Sequence, residues 1–389
     1  MSSINQNLAA LFSGKIALEK GPPATPPAVS MPGTKQVTFS CIFFSDIRKE
    51  ISNKMKYQFV RELVEFSDQS GFEAVYFPER HFYEFGSIYA NNAIVAAYFA
   101  PLTQNVRLRA AAVTATLHHP AEIVENWAMV DILSNGRVDL GFGSGWNKPD
   151  FILSPDTYEN RFALRDERIP IIQKLWRGET IHFPGPGGEE FPTRVYPRPL
   201  QKELNVWYSA LSKRGFEHAG RQGYNLLTML LPMDLEALGK MIDVYRKARA
   251  AAGFDPNTGI VSLLMHTFVH PDIEWVQHVV SSPFKDYIRS SVVPHMKASD
   301  KNFNHSEIEK IIEYAYTRYF QKGGIFGPLE DCQRQIDKAV SVGVNDIALL
   351  QDFGVDYEAV KKSLVYVKQL VDQNKKRGAS CALKQNDCS

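Results

Sequence analysis

The chain has 389 residues, of which 44% are apolar and 22% charged, and its formal net charge is +1. A chain of this length can bury a large core, as one large domain or two medium ones. The near-zero charge argues against a basic nucleic-acid-binding surface, and no apolar run reaches the roughly 18–20 residues of a membrane span.

The N-terminus lacks a basic segment followed by a continuous apolar stretch, so no secretory signal is expected. The four cysteines form neither a disulfide framework nor a CxxC metal pair: Cys41 and Cys332 fall in strand-like and helix-like patterns, Cys381 and Cys388 in the polar end. A cytoplasmic location follows as the expectation.

Residues 1–36 contain "KGPPATPPAVSMPG", a proline-rich leader or linker expected to be extended and weakly patterned. From residue 37 to 373 strand-like and helix-like segments alternate. The strands read "VTFSCIFF" (37–44), "AVYF" (74–77), "VRLRAAAVTA" (106–115), "RVDLGFG" (137–143), "NVWYSAL" (205–211), "NLLTML" (225–230), "IVSLLMHTFV" (260–269) and "DIALLQ" (346–351). Between the first two, Phe59, Leu63 and Phe66 recur at helical spacing. "PAEIVENWAMVDIL" places Pro120 at a helix N1 position, with Ile123, Trp127 and Val130 on one face. "AGRQG" ends a helix in a glycine C-cap. The tail from Asn374 to Ser389 is polar and expected to be loose.

Eight strands separated by helices predict an α/β fold, a (β/α)8 TIM barrel with parallel strands. Two insertions break the alternation: 178–200, rich in Gly and Pro, before strand five, and 272–343, largely helical, between strands seven and eight. The second would roof the C-terminal mouth, where barrels build their sites. An open nucleotide-binding sheet is disfavoured because "GFGSGW" puts Trp146 where G-x-G-x-x-G needs its third glycine, and Ser144 sits between adjacent glycines rather than in G-x-S-x-G.

Each strand's C-terminal end then supplies candidates. "FPERHFYEFG" sets Glu79, Arg80 and His81 beside Phe82, Tyr83 and Phe85 directly after the second strand. His118 and His119 follow the third strand, Ser144, Trp146 and Asn147 the fourth, and Ser209, Ser212, Lys213 and Arg214 the fifth. Two readings stand here: a polar, aromatic rim gripping a flat ligand, or an ordinary ion pair with His81 packed beneath it. No metal is expected, because adjacent histidines point apart and no third ligand is spaced nearby.

The stretches "GFEAVYFPERHFYEFG" and "LRAAAVTATLHHPAEIVENWAMVDILSNGRVDLGFGSGWN" together resemble the bacterial luciferase-like flavin-dependent monooxygenases, over about residues 36–371. The likeness is to the branch associated with polyketide and nonribosomal peptide biosynthesis. It implies a non-prolyl cis peptide at Ala111–Ala112 supporting an isoalloxazine ring, with Ser144 and Trp146 lining the flavin. Ser209 and Ser212, with Lys213, Arg214 and the Gly215 amide, fall at the phosphate site, where a helix N-terminus attracts an anion.

The resemblance further implies an FMNH2-dependent monooxygenase. Reduced FMN would come from a separate NAD(P)H:flavin reductase, O2 would be the co-substrate, and a flavin C4a-hydroperoxide would pass one oxygen atom to an acyl or natural-product intermediate, free or held by an acyl carrier protein or PKS/NRPS module. His81 is the expected proton shuttle, since an ordinary imidazole near 6.5 both gives and takes a proton; Glu79 would orient it, and Arg80 would bind an anion or steady the peroxide. Arg80 stands where luciferases carry a second histidine and Leu211 where they carry an acid, which argues against light emission. An F420-dependent oxidoreductase of the same fold and a non-catalytic flavin-binding protein are the alternatives, and a homodimer is compatible with a helix-rich barrel.

Overall fold

The computed structural model describes residues 37–386, apart from 45–46, 83, 85–87, 231–232 and 298–303. The leader lies outside these residues, as do the side chains of Tyr83, Phe85, Cys381 and Cys388. The first strands and helices are β1 (Thr38–Ile42), α1 (Asn53–Gln69), β2 (Ala74–Phe77), α2 (Asn92–Phe99), β3 (Arg107–Thr114), α3 (Pro120–Leu133), β4 (Val138–Gly143) and α4 (Arg161–Arg177). Next come β5 (Ile181–Pro184), β6 (Glu190–Thr193), β7 (Val206–Ser209), α5 (Lys213–Gln222), β8 (Asn225–Met229), α6 (Leu235–Ala251) and β9 (Val261–Val269). The chain continues through α7 (Ile273–Lys297), α8 (His305–Arg318), β10 (Ile325–Gly327), α9 (Leu329–Ser341), β11 (Asp346–Leu350) and α10 (Tyr357–Asn386).

Strands β1, β2, β3, β4, β7, β8, β9 and β11 pair in parallel in that order, and β11 returns to β1, closing an eight-stranded barrel. All eight match the strands expected from the hydrophobic pattern. Each strand is flanked by a helix whose signals are local. Ser52 caps α1 by accepting from the Met55 amide, Pro120 opens α3, and Gly223 ends α5 at φ 74°. At the turn into β4, Asn135 and Gly136 adopt φ of 59° and 79°. Arg137 there donates to the carbonyls of Ser134, Val106, Ala100 and Thr103, tying α3 to the edge of β3.

The barrel interior below the mouth holds a buried ion-pair network. Asp139 accepts from Arg107 at 2.8 Å and from Arg109 at 2.5 Å, and Arg109 donates to Tyr76 Oη at 2.9 Å while lying 4.1 Å from the Trp207 ring centroid. Asp346 accepts from Thr38, Ser40 and Ser262, which staples β11 to β1 and β9. Outside the strands, Phe43, Phe77 and Phe99 stack between barrel and helices. Each such buried ring contributes about 2–3 kcal/mol of hydrophobic stabilisation.

The structure departs from the sequence expectations at three places. The insertion before the fifth barrel strand contains an antiparallel hairpin, β5–β6. The insertion after β9 is helical as expected but also carries β10, which extends β9 at Thr267–Val269. The tail expected to be loose from Asn374 is helix through Asn386. Asn374 is buried there, exchanging amide hydrogen bonds with Gln333 of α9 at 2.8 and 3.0 Å, and Arg377 pairs with Asp337 at 3.0 Å. Polar composition alone hid this docking.

Candidate active site

The C-terminal ends of parallel strands lie side by side, so residues far apart in sequence meet at the mouth. After β2, Glu79 is almost fully buried. Its Oε2 accepts the Thr114 amide from the end of β3 at 2.9 Å. Its Oε1 is shared by His81 Nε2 at 2.8 Å and His118 Nε2 at 2.7 Å. Burial alone would raise the Glu79 carboxyl, but the hydrogen bonds from His118, His81 and Thr114 outweigh it and hold the group down at about 2. His118 moves the other way overall: burial lowers it, yet the contact with Glu79 and the nearby Glu122 raise it above the ordinary histidine value.

The expected absence of a third ligand near His118 is corrected by the fold. Glu79, His81 and His118 offer ligand-type atoms that all lie within 4.8 Å of one another. The separations of 2.7 and 2.8 Å to Glu79 are hydrogen-bond lengths, and the arrangement is a hydrogen-bonded triad. His119 does point away, as adjacent residues should: it caps α3 through Nδ1, which accepts the Ala121 amide at 3.2 Å, and packs on Phe183 of the hairpin.

Arg80 is half buried, its Nη1 donating to the Glu79 carbonyl at 3.1 Å, and its charge is felt by Asp150 and Tyr287. Burial is the main cause lowering its pKa. Asp150 lies on the turn after β4, held by Asn147 at 2.5 Å, and burial raises its carboxyl against the opposing pull of His81 and Arg80. Tyr287 belongs to α7, so the second insertion reaches the mouth. There Phe284, Tyr287, Tyr319 and Phe353 surround His266 of β9 at centroid distances of 4.7–5.7 Å. Burial drives His266 down to about 3, and neither ring nitrogen has a hydrogen-bond partner among the described residues.

The residues assigned to a flavin fall around this mouth. The Ala111–Ala112 peptide is cis. A Cβ at Gly141 would meet the Ala110 carbonyl at 2.3 Å, so this glycine is required for the close approach of β3 and β4, while one at Gly143 would only touch the Ala112 Cβ at 3.4 Å. Ser144 and Trp146 follow β4 and are half buried. On the neighbouring strand Ser209 ends β7, and Ser212 caps α5 by accepting the Gly215 amide at 3.3 Å. Lys213 and Arg214 stand exposed in its first turn, so an anion there would meet two cations and open amides. These residues fit a planar ring against β3 and β4 with a phosphate at α5. Tyr89, by contrast, is fully buried beside Phe43 and serves packing.

Residues 37–345 match the family described as Luciferase-like monooxygenase. The chain belongs to that family. The oxygenase component of the flavin-dependent trigonelline monooxygenase of Acinetobacter baylyi is 26% identical over 324 residues, covering 80% of this chain and 88% of that protein. The alkanal monooxygenase alpha chain of Photobacterium leiognathi is 24% identical over 272 residues, 70% of this chain and 74% of that one. Two further matches are partial: the chain spans 59% of an uncharacterized Sinorhizobium fredii protein and 38% of an F420-dependent glucose-6-phosphate dehydrogenase from Amycolatopsis mediterranei. The same barrel recurs in the monooxygenase RslO1 of Streptomyces bottropensis, with TM-score 0.72, 20% identity and coverage of 87% of this chain and 99% of that one. It recurs also in the FMN-bound oxygenating constituent of 3,6-diketocamphane monooxygenase from Pseudomonas putida, with TM-score 0.71, 15% identity and coverage of 86% and 98%. The family thus contains flavin-dependent and F420-dependent enzymes.

Sequence reasoning placed His118 at the rim without giving it a role, and it missed Asp150 and His266. His118 carried a signal, since it follows β3 as His81 follows β2, and neighbouring parallel strands align such ends. Asp150 and His266 carried none above ordinary composition.

Proposed function

We propose that the chain is the oxygenase component of a two-component monooxygenase that uses FMNH2 from a separate NAD(P)H:flavin reductase. It inserts one atom of O2 into an acyl or natural-product intermediate, which the suspected polyketide/nonribosomal branch would present on a carrier protein. Bound reduced flavin would supply the electrons that make dioxygen able to transfer an oxygen atom. Ala111, Ala112, Gly143, Ser144 and Trp146 would hold its ring, and Ser209, Ser212, Lys213, Arg214 and Gly215 its phosphate.

The observation that carries this reading is the Glu79–His81 pair beside the small-residue wall of β3. A proton must be given and taken where the oxygen atom is transferred, and His81 is held there by a buried carboxylate. Glu79 stays ionised and so acts as an acceptor that fixes the ring of His81. Arg80 contributes fixed positive charge next to it. The aromatic roof of Phe284, Tyr287 and Tyr319 keeps water from the mouth, where reactive oxygen species would otherwise be lost.

The test is oxygen uptake with FMN, NADH and a generic flavin reductase, followed by mass spectrometry of acyl substrates, free and carrier-bound, for a gain of one oxygen atom. A second reading, F420-dependent hydride transfer, is favoured by the F420-dependent relatives. Reduction of F420 by a substrate with no uptake of O2 would select it.

A further inference from the structure

Glu79 is ionised, and an ionised carboxylate only accepts hydrogen bonds. Each histidine that contacts its Oε1 must therefore carry a hydrogen on Nε2. This fixes the inner face of both rings: His81 at 2.8 Å and His118 at 2.7 Å donate to the same oxygen. With a centroid separation of 6.4 Å, the two rings share one negative charge, and two imidazoliums on one carboxylate would repel each other.

Their outer nitrogens meet different surroundings. His118 Nδ1 lies 3.8 Å from Glu122 Oε2 in the first turn of α3, so this ring sits between two carboxylates. Arg168 of α4 opposes its charge; the Nη1 of that arginine donates to the His118 carbonyl at 2.8 Å. Despite burial and Arg168, the two acids prevail and His118 is raised above its ordinary value. On the His81 side, Asp150 of the turn after β4 interacts with both His81 and its chain neighbour Arg80. Thr114 completes the set with an uncharged amide.

We propose that His118 is a positioning residue that carries the triad's positive charge, compensating Glu79 so that His81 remains a neutral Nε2–H tautomer with its Nδ1 lone pair turned to the reacting group. Glu79 passes no proton between the rings, because it stays charged when held at about 2. This inference deepens the proposed function and takes from it the role of His81 as the proton-transfer group. It adds the residue that sets the state of that group. His118 follows a different strand, 39 positions from Glu79.

The test is long-range 1H–15N correlation on the full chain labelled at its 10 histidines, with His81→Asn and His118→Gln used for assignment. At about pH 7, His118 is expected to show the imidazolium pattern and His81 the neutral Nε2–H pattern. In His118→Gln the amide still donates to Glu79 but brings no charge, and the His81 signals are expected to move toward imidazolium at the same pH. Glu122→Gln, a half-exposed change that leaves the triad's hydrogen bonds in place, is expected to lower the charged fraction of His118 and serves if His118→Gln does not fold. A neutral His118 in the folded wild type overturns the proposal, as does a His81 pattern in His118→Gln identical to wild type or a charged fraction unmoved by Glu122→Gln. None of these readings uses flavin, O2 or substrate, so failure of the charge assignment and failure of the oxygenase assay are separate results.

Discussion

Thr114 donates its backbone N–H to Glu79 Oε2 at 2.9 Å, and through that bond the strand carrying the cis Ala111–Ala112 peptide is joined to the loop carrying His81. The wall proposed to hold the flavin ring and the acid–base pair are therefore parts of one hydrogen-bonded unit. A change at either residue is transmitted to the other without any intervening side chain.

His81→Ala is expected to leave FMNH2 binding within a few-fold of wild type while oxygen transfer falls about 10²–10⁴-fold, the usual contribution of a positioned acid–base group. Glu79→Gln should lose less, because the ring remains while its orientation is weakened. Rapid mixing with photoreduced FMN, monitoring flavin fluorescence and oxygenated product separately, distinguishes the two effects. Unchanged product formation in His81→Ala would remove that residue from the mechanism.

The triad should write itself into the pH dependence of stability. The Glu79 carboxyl is depressed in the folded chain to about 2, below its ordinary 4.5, so its contribution is complete above 4.5 and is lost as pH falls from there toward 2. His118 is raised above its ordinary 6.5, so its contribution is complete below 6.5 and is lost as pH rises through its folded value. Urea unfolding measured across pH is expected to show a flatter acid limb for Glu79→Gln and a flatter neutral limb for His118→Gln. Parallel curves for mutant and wild type would contradict both assignments.

Beneath the mouth, Asp139→Asn removes the carboxylate shared by Arg107 and the fully buried Arg109, leaving Arg109 only the longer 3.7 Å ion pair with Glu73. Removing one partner of a buried ion pair typically costs about 3–5 kcal/mol. The urea midpoint should fall accordingly with an unchanged denaturant slope. Asp139→Leu, which also leaves buried Arg109 with only the 3.7 Å contact to Glu73, should be no better.

Arg214→Ala should weaken FMN binding roughly 10- to 100-fold, since a charge-assisted hydrogen bond contributes roughly 1.5–3 kcal/mol, and should leave riboflavin binding unchanged. Ser212→Ala should act in the same sense and also cost about 1 kcal/mol of stability through the lost α5 cap. Fluorescence titrations with both flavins provide the control. Equal weakening for FMN and riboflavin would move the phosphate site away from α5.

What the amino-acid sequence determined by itself was what depends on neighbours along the chain. Short apolar runs marked all eight barrel strands, and Pro120 and Gly223 marked helix ends, because strand burial and helix capping are decided within a few residues. The close approach of β3 and β4 was legible for a related reason: "AAA" and the glycines of "GFG" leave room for two adjacent strands to meet there. Only the tertiary structure decided that His118 shares an oxygen with His81, that Tyr287 of α7 reaches Arg80, and that Asn374 is buried against Gln333 so the final helix continues. Each of these joins residues brought together by closure of the barrel or by docking of a helix, and such proximity is set by the packing of the whole core, which leaves no local periodicity to read.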